Sequence, residues 1–124
     1  MANEIAAQAI LRMKIAGEDP VDIDSLTQYF DMTGAEYVDG IFSIGTSAED
    51  IALGDVGTPG WVYMRNLDST NDVTGGYDTT TLDGDEDVIK MKPGEPFLGR
   101  WAAATVTLRA DTAACRVRVF IAED

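Results

Sequence analysis

The chain of 124 residues contains no histidine and a single cysteine. Without histidine there is no Ser-His-Asp or Cys-His catalysis, and no histidine-ligated zinc or iron site. The lone Cys115 excludes an intrachain disulfide. As a nucleophile it would need an activator other than histidine. Cations are scarce: 9 Lys and Arg stand against 22 Asp and Glu, a formal net charge of −13. That balance disfavours direct binding to nucleic acid or to an anionic membrane, where cationic side chains must replace condensed counterions. It favours solubility, or docking on a partner with basic patches. Aromatic residues are 8% of the chain, too few for the walled cleft of a typical two-carboxylate hydrolase. No apolar run approaches membrane-spanning length. The N-terminus lacks the basic flank and hydrophobic block of a signal peptide. The expectation is a chain without enzymatic activity, cofactor or metal.

What is present is β-sheet material. Apolar residues make up 45% and charged residues 25%, ordinary for a folded globular protein. Helix-favouring residues fill Glu4 to Ile15, but Ile5, Ala7, Ala9, Leu11, Met13 and Ile15 alternate with polar positions. Alternation predicts a strand. Val21 to Met32 reads as a second strand with Ile23 and Phe30 in the core, and Tyr37 to Ile44 as a third with Val38, Phe42 and Ile44 on one face. Ser47 to Leu53 reads as a short helix or an extended loop. In Trp61 to Leu67, Trp61, Tyr63, Arg65 and Leu67 face one way and Val62, Met64 and Asn66 the other. Both tryptophans, Trp61 and Trp101, read as core anchors, with an interface role as the alternative.

Further strands are predicted over Val73–Tyr77, Val88–Lys92, Phe97–Trp101, Thr105–Arg109 and Cys115–Ala122. Turns fall at Asp68–Asn71, Pro93-Gly94 and Asp111–Ala113. In the last strand Cys115 alternates in phase with Val117, Val119 and Ile121, which makes it a small buried hydrophobe. Lys90 with Lys92, Arg116 with Arg118, and Arg12 with Lys14 each share a polar outer face. Turn signals at short, regular spacing predict an all-β fold, an antiparallel β-sandwich or jelly roll. With no repeat or linker, residues 1–124 read as a single domain.

Two local patterns invite ligands and fail on inspection. Gly54 to Gly60 is glycine-rich but has the wrong spacing for a phosphate loop, and Pro59 removes a backbone donor. Asp83, Asp85 and Asp87 have the spacing that opens a calcium loop, but Val88 stands where the sharp-turn glycine belongs and Gly94 where the bidentate Glu belongs. The charge is also uneven. Residues 1–62 hold 11 acids and 2 bases, and the remainder 11 acids and 7 bases, so two different surfaces are available.

The blocks Ile44–Ser47, Leu53–Gly60, Arg65–Asn71 and Lys92–Glu95, with the acidic end Glu123-Asp124, resemble a family of small proteins encoded beside structural genes of tailed bacteriophages. Capsid decoration (cement) proteins are the leading example. The resemblance implies a β-sandwich virion component on the outer surface of the head, made in the cytoplasm of a bacterial host. Its partner would be the major capsid (coat) protein, and it would assemble as a dimer or trimer. Contacts are then expected from the loop bearing Ile51, Leu53, Val56 and Pro59, and from Arg12 and Lys14 in the N-terminal segment. The alternatives are a neck or tail accessory protein, or a glycan- or host-surface-binding module using Trp61 or Tyr63 with Asp68 and Asn71.

Overall fold

A computed structural model describes residues 4–77 and 88–124, so the acidic stretch with Asp83, Asp85 and Asp87 lies outside the described residues. The described chain is all-β and antiparallel. It divides into two compact units, Met1–Thr33 and Gly34–Asp124.

The first unit is a two-stranded ribbon folded back on itself. Strand β1 (Ile5–Ala7) pairs with β4 (Gln28–Phe30), and β2 (Ile10–Met13) pairs with β3 (Val21–Asp24). Between the two paired stretches, residues 8 and 9 oppose residues 25 to 27, one residue too many on the returning arm. The ladder bulges there, as a single inserted residue dictates. Leu26 takes up the distortion at φ 59°, and its N–H donates to Asp24 Oδ1 at 2.7 Å. The predicted strand over Val21 to Met32 is therefore two strands. None of the described residues of this unit is buried, and Ile23, expected in the core, is exposed. Two strands have no second layer to cover them.

The second unit is a β-sandwich-like pair of four-stranded sheets. One runs in the order β10 (Pro96–Arg100), β7 (Pro59–Asn66), β12 (Cys115–Glu123), β5 (Tyr37–Ile44). The other runs β6 (Glu49–Asp50), β11 (Thr107–Ala110), β8 (Val73–Gly76), β9 (Ile89–Met91). Each inward face supplies the alternate positions of its strands. Val62 and Met64 from β7, with Val117, Val119 and Ile121 from β12, form one core with Leu108 from β11 and Met91 from β9. Cys115 lies in this layer, as its alternation requires. Burial raises its thiol pKa, and the charges of Asp68, Asp111 and Asp72 raise it further. Trp101 packs against the core and donates Nε1–H to the Thr105 carbonyl at 2.7 Å.

The blocks Ile44–Ser47, Leu53–Gly60, Arg65–Asn71 and Lys92–Glu95 build this unit. In Lys92–Glu95, Pro93 and Gly94 occupy the central positions of a turn closed by Glu95 N–H to the Lys92 carbonyl at 2.9 Å. Gly94 sits at φ 82°, which a type II turn demands at that position. In Arg65–Asn71, Asn66 is fully buried, with all three of its side-chain bonds satisfied inside the fold. The acidic end ties down two segments, the loop at Gly57 and Thr58 and the chain at Gly34. Asp124 N–H donates to Thr58, the Asp124 carbonyl accepts from Gly34 N–H, and Glu123 Oε2 accepts from Gly57 N–H at 2.8 Å. Gly60 is required at the same junction, because a Cβ there would lie 2.9 Å from the Asp124 Cα.

Candidate interaction surface

The expected contact loop does not present the residues expected of it. Ile51, Val56 and Pro59 are buried and Leu53 is half-buried against the core. Ile51 N–H donates to the Val106 carbonyl and Val56 N–H to the Leu53 carbonyl, so the loop tucks its apolar side chains beneath the sheets. These four residues are packing residues. The loop exposes Asp55, Gly57 and Thr58 instead. Ser47 to Leu53 forms no helix; it contributes the short strand β6.

Arg12 and Lys14 are exposed. Arg12 is fixed across the ribbon by Asp22, Nε to Oδ1 at 3.2 Å. Register puts Leu11 opposite Ile23 and Met13 opposite Val21 on the other face of the same ribbon. All four are large exposed hydrophobes, Leu11 at 66%. The ribbon is thus amphipathic with its apolar face bare, and Arg12 and Lys14 lie on its polar face.

A second surface lies on the outer side of the β10-β7-β12-β5 sheet. Cross-strand register builds it in rows. Ile41, Arg118, Arg65 and Pro96 align across the four strands, and Asp39, Phe120, Tyr63 and Leu98 form the next row. Tyr37 stacks on Phe120 with ring centroids 5.9 Å apart. At the same end of β7, Arg100 sits 5.6 Å above the Trp61 ring and pairs with Asp124 at 2.5 Å. Trp61, expected in the core, therefore belongs to this outer face. Its strand neighbours Val62 and Met64 take the inward positions, and strict alternation turns Trp61 outward.

Four of the chain's nine cationic residues, Arg65, Arg100, Arg116 and Arg118, stand on this face. Arg118 lies directly opposite Arg65, a like-charge pair that weakens a sheet. Each is held by an acceptor of its own. Asp39 grips Arg118 through both carboxylate oxygens, at 3.0 and 3.1 Å, and the Gly94 carbonyl accepts from Arg65 Nε at 3.0 Å. Tyr37 is 64% exposed, and Ile41 and Leu98 are also exposed. Tyrosine, tryptophan and arginine around exposed aliphatics is the composition of a protein-binding patch. Aromatic rings with arginines on a sheet can also stack nucleic-acid bases. The net charge of −13 opposes that use.

The sugar platform considered from sequence is not assembled. Trp61 and Tyr63 lie within β7, whereas Asp68 and Asn71 lie beyond its far end. The Asp68 carboxylate is engaged by its own loop, accepting from Thr70 N–H at 2.9 Å and Asn71 N–H at 2.6 Å, and these bonds hold its pKa below the ordinary carboxylate value. Among the described residues, no three Cys, Asp or Glu side chains are grouped to hold a metal ion. No protein-family model, curated protein or solved structure matches the chain.

Proposed function

We propose that this protein is a non-catalytic structural component of a tailed-bacteriophage virion, a decoration protein that binds the outside of the head and bridges neighbouring coat subunits. The observation that carries the reading is the pair of exposed apolar surfaces on an otherwise well-packed β protein. Contiguous bare hydrophobes of this kind are characteristic of proteins that work in assemblies. The virion and the coat partner come from the resemblance of Ile44–Ser47, Leu53–Gly60, Arg65–Asn71 and Lys92–Glu95. The acidic balance suits an exterior position and disfavours the DNA-facing side of a shell.

The mechanism is mass action. Packaged DNA presses coat subunits apart, and a clamp that binds only the joined arrangement stabilises it by RT ln(1 + [L]/Kd). The test is heat-triggered release of packaged DNA from particles with and without the protein. Particles lacking it are expected to release DNA at a lower temperature, and equal release temperatures refute the stabilising role. Labelling the protein on intact particles separates a head lattice from the single ring that a neck or tail accessory protein would give.

A further inference from the structure

We propose that the open edge of β5 pairs with β5 of a second copy of this chain, antiparallel about a two-fold axis at Gly40, so that two four-stranded sheets join into one. The inference concerns contacts between copies and does not rest on the virion reading. β5 ends its sheet, and among the described residues no strand pairs with its outer side. Hydrogen-bond parity defines what that side offers, because antiparallel partners exchange both main-chain bonds at every second pair. Glu123 N–H donates to the Glu36 carbonyl at 2.9 Å, so the pairs in step with it, Val38–Ile121, Gly40–Val119 and Phe42–Val117, are the bonded ones. Leu67 N–H donates to the Arg116 carbonyl at 2.8 Å, which assigns the alternate residues of β12 to β7 and agrees with this parity. The main-chain N–H and C=O of Tyr37, Asp39, Ile41 and Ser43 therefore point away from β12, out of the sheet edge.

This edge lacks the devices that keep sheet edges apart. Natural edges are short, bulged, or marked by lysine or proline. β5 is eight residues long, contains neither lysine nor proline, and keeps an unbroken register with β12 from end to end. The other sheet edges of this unit are protected: β6 has two residues, β9 has three, and β10 has five and begins with Pro96. The core is also unfinished beneath β5. Val38, Gly40 and Phe42 take its inward positions yet are only half-buried, whereas Val117, Val119 and Ile121 beside them on β12 are fully buried.

Length and symmetry select the occupant. The ribbon strands have three or four residues, so no other described strand with an open edge matches β5. A second β5 matches it fully. Pairing about Gly40 sets Tyr37 opposite Ser43 and Asp39 opposite Ile41, so every outward residue of both strands is bonded. Four such pairs carry two bonds each, eight in all, within the about 10 ± 5 hydrogen bonds of a typical interface. A register shifted by two residues moves one outward residue of each copy past the end of its partner. Gly40 meets its copy on the axis as a non-bonded pair, where Cα atoms approach to about 4.5 Å and the absence of a side chain leaves room. On the inward side Val38 meets Phe42 of the second copy, an aliphatic–aromatic pair that covers the half-open core. The two Asp39 lie diagonally across the axis, and each is held by its own Arg118 through both oxygens. An isologous contact consumes both β5 edges and closes at a dimer, whose joined sheet ends on β10 at each side.

The test uses the full chain and its Ile41→Pro variant. The Ile41 N–H faces outward, so proline there removes a bond between copies and none to β12. Ile41→Asp, which sets a carboxylate opposite Asp39 of the second copy, replaces it if circular dichroism departs from the wild type. Light scattering over a dilution series is expected to show a dimer for wild type and at least tenfold weaker self-association for the variant. Amide hydrogen exchange in the wild-type dimer is expected to protect Tyr37, Asp39, Ile41 and Ser43 along with Val38, Gly40 and Phe42. In the variant, Tyr37, Asp39 and Ser43 lose that protection while Val38, Gly40 and Phe42 keep it. Three results each overturn the proposal: a wild type that is not a dimer, even one whose outward amides are covered by its own chain; a variant that assembles like wild type; or a dimer whose outward amides exchange freely, which puts the interface elsewhere.

Discussion

Replacing Asn66 should undo the junction between the two sheets. Its side-chain amide donates to the Asn71 carbonyl at 2.8 Å and the Met91 carbonyl at 3.0 Å, and its oxygen accepts from Asp68 N–H at 2.9 Å. Two carbonyls on one side and an N–H on the other fix which end is the amide nitrogen. Asn66 closes β7, and Met91 closes β9 in the facing sheet, so the side chain spans the core at its edge. Asn66→Ala removes three bonds at about 1 kcal/mol each and leaves buried carbonyls unpaired, for a loss of about 3–4 kcal/mol. Against a total stability of about 5–15 kcal/mol that is a large share. For a unit of roughly this size it should lower the melting temperature by about 16–21 °C. Asn66→Asp keeps the shape but turns an anionic oxygen toward two carbonyls. It should be at least as damaging at neutral pH and recover on acidification, when the protonated acid can donate. Calorimetry of wild type and both variants checks this. An Asn66→Ala melting temperature within about 2 °C of wild type would refute the assignment of Asn66 as a structural linchpin.

Gly60→Ala should destabilise by about 1–3 kcal/mol, because the new methyl meets Asp124 backbone at 2.9 Å and cannot push it aside cheaply. Gly45→Ala, with nothing within 4 Å of the new Cβ, should stay within about 0.5 kcal/mol, and urea midpoints for the two compare them directly. The lowered pKa of Asp68 means its contribution is complete above the ordinary carboxylate range and is lost as pH falls through the lower folded value. Asp68→Asn should therefore flatten the fall in stability below about pH 4, and identical acid limbs for the two proteins would contradict this.

Much of the sandwich is legible in the sequence because its central strands are long and strictly alternating. Tyr37–Ile44 matches β5 residue for residue, and the phase of Cys115 with Val117, Val119 and Ile121 gives the inward face of β12. The Pro93-Gly94 turn is read from chemistry alone. Two expectations, for Trp61 and for the Ile51–Pro59 loop, meet a different outcome in the fold. Trp61 reads as a core anchor with an interface role as the alternative, yet it shares a strand face with Arg65 while Val62 and Met64 occupy the other. Parity was the better signal. The loop bearing Ile51, Leu53, Val56 and Pro59 reads as a contact loop, but a loop can fold its scattered apolar residues under a sheet, and this one does. The exposure of the ribbon had no sequence signal, because alternation states that a strand has an apolar face and is silent on whether a layer covers it. The aromatic–arginine face was invisible for a different reason: its rows come from four strands far apart in the chain and exist only once register is known.

That face is also where local and global demands disagree. A sheet selected for stability alone would not set Arg118 opposite Arg65, nor leave Tyr37 and Ile41 to water. Asp39 and the Gly94 carbonyl reduce the conflict but do not remove it, since exposed ion pairs contribute about 1 kcal/mol at most. Elsewhere in the unit the levels agree: Asn66 is fully bonded, the Lys92–Glu95 turn has the residues its geometry requires, and the inward faces are apolar. Conflict confined to one face of a consistent fold marks where selection has acted on something besides folding. The ribbon carries a second conflict, the bare aliphatics Leu11, Met13, Val21 and Ile23 on the face opposite Asp22 and Asp24.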